Sequence, residues 1–96
     1  MKSVIEHYNS KLPDKLGAIA VTLGYHIFYK MAEEEVSNTL RRHEEAHVMQ
    51  YIRYGFLGFL MLYFYWYLRG RLKGLSHTKA YYEIPFEVEA RKAERA

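Results

Sequence analysis

Five residues near the middle of the chain, His43-Glu44-Glu45-Ala46-His47, constrain its fold more tightly than any other stretch. Four residues advance an α-helix by about one turn, so two histidines at this spacing share one face. Their neighbours extend that face: Val36, Leu40, His43, His47, Gln50 and Tyr54 recur at steps of three and four. The histidines therefore fall on an inward-facing stripe. Burying two imidazoles without partners is costly, so the fold must bring something to meet them.

The pattern is HExxH, which suits one metal ion held by ring nitrogens of His43 and His47. Glu44 lies one residue on, about 100° round the helix. From there its carboxylate reaches a water beside the metal without being a ligand. Zinc lowers the pKa of such a water toward ~7, and the glutamate takes its proton as it attacks a carbonyl carbon. The same carboxyl can return the proton to a leaving amine. A chain with 5 His in 96 residues meets this pattern by accident roughly 2 % of the time. The plain alternative is a pair of core histidines satisfied by hydrogen bonds.

Composition narrows the ligand set. There is no cysteine, which excludes disulfides and a thiolate zinc site, and Asp14 is the sole aspartate. Histidine and glutamate are the practical ligands. At 96 residues this is one domain, residues 1–96, with a modest core to which a metal would add folding energy. Half the residues are hydrophobic and 17 % aromatic, which argues against disorder. The net charge is +3, and the basic cluster Arg69, Arg71 and Lys73 is too narrow for a nucleic-acid surface. Met1 to Lys15 has no apolar core of a signal peptide, so a cytoplasmic or membrane-peripheral location is expected.

Met1 to Lys15 reads as a short helix or irregular lead-in, stopped at Pro13-Asp14. Ala18–Leu23 and Tyr25–Lys30, split by Gly24, read as two strands or one bent strand, with a helix as rival for the first. Ala32 to Tyr54 reads as a long helix with Glu33, Glu34 and Glu35 at its positive end, closing near Gly55. Gly55 to Leu68 is the most apolar stretch, too short for the roughly 20 apolar residues of a membrane span. Gly70, Gly74 and Ser76 mark a loop, and Pro85 opens a last helix with Phe86, Ala90 and Ala93 on its apolar face. A catalytic zinc site wants a third protein ligand. Glu83, Glu87, Glu89 and His77 are the candidates, and periodicity does not choose among them.

His43-Glu44-Glu45-Ala46-His47-Val48-Met49-Gln50, with Ile84-Pro85-Phe86-Glu87-Val88-Glu89-Ala90-Arg91 some 40 residues on, resembles the gluzincin branch of the zincin metallopeptidases. More narrowly it resembles the minigluzincins, small relatives of the catalytic core of membrane metallopeptidases, over Leu16 to Glu94. The resemblance implies an α+β fold: a small antiparallel sheet, an active-site helix, and a second helix carrying a glutamate ligand. The family's E-x-x-x-D spacing makes Glu87 that ligand beside His43 and His47, with one Zn2+ per chain. Arg91 stands where the family has a supporting Asp, leaving that task to another carboxylate such as Glu89 or Glu83. Peptide or protein substrate would lie extended along a strand edge, here Ala20 to Phe28. Tyr82 and His77, with Tyr81, are the candidates to donate to a developing oxyanion. Latency by a chain end in the cleft is also implied, and Met1 to Lys15 is the segment that could serve.

The aromatic run 56–68 has two readings. It packs as a helix over the HExxH helix, or it forms a face for a membrane surface or a homodimer, with Arg69, Arg71 and Lys73 at lipid headgroups. Three functions follow in order: an active zinc endopeptidase, a zinc-stabilised interaction protein with weak catalysis, and a membrane-surface adaptor with structural histidines.

Overall fold

The computed structural model describes residues 4–95. Three strands and five α-helices run in the order β1 (Ile5–His7), α1 (Leu12–Lys15), β2 (Ala20–Leu23), β3 (His26–Tyr29), α2 (Asn38–Tyr54), α3 (Phe56–Leu72), α4 (His77–Tyr82) and α5 (Pro85–Ala93). The α+β class holds. The sheet is mixed where an antiparallel one was expected: β2 and β3 form an antiparallel hairpin, and β1 adds parallel to β3. Strand β3 is therefore central, and of the Ala20–Phe28 stretch only β2 is an edge.

β1 was hidden because it is three residues long and its partner lies about twenty residues away in sequence. Side chains fix its place. The Glu6 carboxylate pairs with Arg41 of α2 and accepts hydrogen bonds from Tyr8 (2.6 Å) and Tyr29 (3.1 Å). Within residues 4–15, 5–7 form β1 and 12–15 form α1, and none of these twelve residues lines the cleft described below. Met1 to Ser3 lie outside the described residues.

The long helix starts later than its charges suggested. Glu33–Glu35 form a separate 3-10 turn, and Ser37 caps α2 by accepting the Leu40 N–H at 3.0 Å. A serine hydroxyl aimed at a free amide outcompetes a run of exposed carboxylates as a start signal. Gly55 separates α2 from α3 with φ +77° and ψ 163°, a conformation reserved for glycine. The two helices abut with no loop between them. α3 continues through Gly70, which the sequence reading placed in a loop. A Cβ at Gly70 would sit 3.1 Å from the Ala80 Cβ, so this glycine lets α4 approach closely.

Two apolar clusters flank α2. Ile27 and Tyr29 of β3 pack on Val48 on one side. On the other, Tyr51 packs with Phe59 of α3 and with Ile84 and Phe86 at the start of α5. Because α2 is covered from two sides, its buried arc is wider than one stripe: it includes Glu44, Val48 and Tyr51, while Tyr54 at its end is largely exposed.

Candidate metal centre

α2 and α5 present the site to each other. His43 and His47 stand one turn apart on α2, with ring centroids 5.1 Å apart. Pro85 sets the first turn of α5, which places Glu87 opposite them. The His43 Nε2 lies 3.1 Å from Glu87 Oε1, and the His47 Nε2 lies 3.2 Å from Glu87 Oε2. One ligand atom from each of the three residues falls within 4.8 Å of the others.

The outward nitrogens are fixed as well. Gln50 donates its amide to the Phe86 carbonyl (3.0 Å) and to Glu89 (2.8 Å), which leaves its oxygen facing His47 Nδ1 at 2.8 Å. An oxygen there accepts only, so Nδ1 carries the proton. His43 Nδ1 faces a Glu94 carboxylate oxygen at 2.6 Å, with the same consequence. Both rings, when neutral, turn the Nε2 lone pair toward Glu87, the arrangement a metal ligand needs. Arg42 holds the end of α5 in place by donating to the Glu94 carbonyl at 2.9 Å. Tyr63 of α3 donates to Glu87 Oε2 at 2.7 Å.

This donor set fits a zinc ion: two imidazoles and a carboxylate, oriented from behind, with the glutamate buried at 4 % exposure. Burial opposes a charged His43, but hydrogen bonds to Glu87 and Glu94 outweigh it and carry the ring up to about 9. Burial likewise opposes ionised Glu87, and the two imidazoles and Tyr63 override it, holding the carboxyl far below its usual range.

Glu44 is buried and lies outside the group formed by His43, His47 and Glu87. Thr22 of β2 donates to its Oε1 at 2.8 Å. Burial pushes its carboxyl upward, against the pull of His47, Thr22 and His43. All four residues, His43, Glu44, His47 and Glu87, line a cleft of about 770 Å³ walled by 16–23, by α3 and by α4.

The remaining candidates separate by position. His77 and Tyr81 line the cleft, and His77 Nδ1 is 2.8 Å from the Tyr67 hydroxyl. Burial and the carboxylates of Glu87 and Glu44 push Tyr81 up to about 12. Tyr82 points elsewhere: its ring lies under the Arg91 guanidinium at 3.6 Å, away from the cleft lining. Arg91 also donates to the Tyr82 carbonyl at 2.7 Å, so it joins α5 to α4. Glu83 is exposed at the end of α4, and Glu89 accepts from Gln50 and lies outside the group of His43, His47 and Glu87. Sequence reasoning missed Glu94, Tyr63 and Thr22. Only Glu94 carried a signal, since it follows Glu87 by seven residues and so returns to the same helix face.

No family model matches the chain, no curated protein matches it, and no solved structure matches its fold.

Proposed function

We propose that this chain is a zinc-dependent metallopeptidase, with His43, His47 and Glu87 as metal ligands and Glu44 as general base. One observation carries the reading: both Nε2 atoms converge on Glu87 while both Nδ1 atoms are held from behind, next to a buried glutamate in an open cleft. Bound zinc would lower the pKa of a water toward ~7 and polarise a carbonyl.

The chain's own residues supply the rest. Thr22 holds one oxygen of Glu44, which fixes the carboxylate against the cleft wall. From there Glu44 takes a proton from the attacking water and passes it to the leaving nitrogen. Tyr81 is the better placed tyrosine to donate to the oxyanion, with His77 on the same wall. Strand β2 borders the cleft as an edge strand, the geometry that accepts an extended peptide.

The test is Glu44→Gln. It should keep zinc and fold while hydrolysis of a denatured protein substrate falls by about 10²–10⁴-fold. Unchanged hydrolysis in a zinc-loaded variant would refute the role of Glu44. The same convergence also favours a second reading. Glu87, Tyr63 and Glu94 tie α2, α3 and α5 together through the site, as a zinc-stabilised interaction protein would require. Under that reading zinc raises the melting temperature and the wild-type chain shows no turnover.

A further inference from the structure

α3 has two faces. Its inner face carries Phe59, Tyr63, Trp66 and Gly70 toward the core. At 100° per residue, Leu57, Met61, Phe64, Leu68 and Leu72 fall within about 80° of arc on the other side. Their exposures are 70, 72, 62, 43 and 80 %. An apolar stripe of this length along one helix marks a contact surface. Arg71 and Arg69 border it on its two sides, and Lys73 follows at the helix end.

Charge decides what the stripe meets. Between Glu45 and Glu83 the chain has no acidic residue, yet it carries Arg53, Arg69, Arg71, Lys73 and Lys79. All 11 Asp and Glu of the chain lie outside this stretch. A second copy packed along the stripe would set these cations against further cations or apolar residues, with no carboxylate from α3 or α4 to answer them. An anionic lipid surface answers both features at once: acyl chains for the stripe and phosphates for the flanking bases. Among the described residues no helix is long and apolar enough to cross a membrane. The inner face of α3 is packed on α2 and α4, so the helix would lie in the plane of the interface.

We propose that the outer face of α3 docks this protein on anionic lipid, with Leu57, Met61, Phe64, Leu68 and Leu72 in the acyl boundary and Arg69, Arg71 and Lys73 at the headgroups. Leu60 both borders the stripe and lines the cleft, so the docked surface lies beside the cleft mouth. The proposal stands whether or not the cleft hydrolyses peptides.

The test is flotation of the full chain with vesicles of phosphatidylcholine and phosphatidylglycerol, against phosphatidylcholine alone. Binding is expected to the mixed vesicles and to fall as salt rises. Met61→Glu with Phe64→Glu should abolish it, and both positions are exposed enough to leave the fold intact by circular dichroism. Replacing Arg69, Arg71 and Lys73 by Gln should weaken binding by about a hundredfold. This second variant decides the matter if the first fails to fold. Absent binding, equal binding to neutral vesicles, or a stable dimer in light scattering that Met61→Glu dissociates would overturn the proposal.

Discussion

Glu94 offers the sharpest test of the proposed metal centre. Its carboxylate sits 2.6 Å from His43 Nδ1, and Arg42 fixes the backbone around it. A partner behind a ligating imidazole sets its tautomer and raises its basicity, and losing one costs about 10–100-fold in metal affinity. That range equals about 1.4–2.7 kcal/mol. Glu94→Ala should therefore weaken zinc binding by one to two orders of magnitude, read by competition with a chromophoric chelator. Arg91→Ala should leave the affinity alone, because Arg91 contacts Tyr82 and not the histidines. Equal loss in the two variants, or affinity within twofold of wild type for Glu94→Ala, would refute the assignment of Glu94 as the support of His43.

Without metal the site is also a pH-dependent element of the fold. His43 is raised from 6.5 to about 9, so its contribution is complete below pH 6.5 and is lost as pH climbs through about 9. Glu87 is lowered, so its contribution is complete above pH 4.5 and fades on acidification below that. Chelator-treated protein should show a falling melting temperature from pH 6.5 to 9, while zinc-loaded protein should show a growing gain over that range, because zinc takes neutral imidazoles; parallel curves would contradict this. Gly55→Ala should cost about 1–3 kcal/mol in urea unfolding, since a Cβ there meets no atom within 4 Å and the penalty comes from φ +77° alone. A neutral result would mean that the α2–α3 junction adapts.

The cluster of His43, His47 and Glu87 was legible in the sequence unevenly. His43 and His47 were readable because helical spacing is local, and the hairpin because Gly24 splits two β-branched and aromatic runs. Gln50 stood on the inward stripe, but its task depends on Phe86 and Glu89, residues of α5 that no local pattern ties to it. Glu87 rested on family spacing, since the chain has several glutamates nearby and a solvated face explains each equally well. β1 and the Glu6–Arg41 pair were invisible for a related reason: a three-residue strand with a charged middle has too little pattern to outweigh a loop. Gly70 misled because a glycine that admits a neighbouring helix looks, in sequence, like one that ends its own.

The edge strand limits how a guest chain can be held. The Lys30 N–H donates to the Ile19 carbonyl at 3.0 Å, so the peptide groups of 19, 21 and 23 turn toward β3 and those of Ala20 and Thr22 turn outward. The Thr22 carbonyl is already taken by the Tyr51 hydroxyl at 3.1 Å. What remains on β2 is the Ala20 pair and a single amide at Thr22, a grip about three residues long. A handhold so short discriminates poorly by backbone. Under the proposed peptidase reading, selection would then pass to the walls, where Leu40, Leu60 and Tyr67 line the cleft.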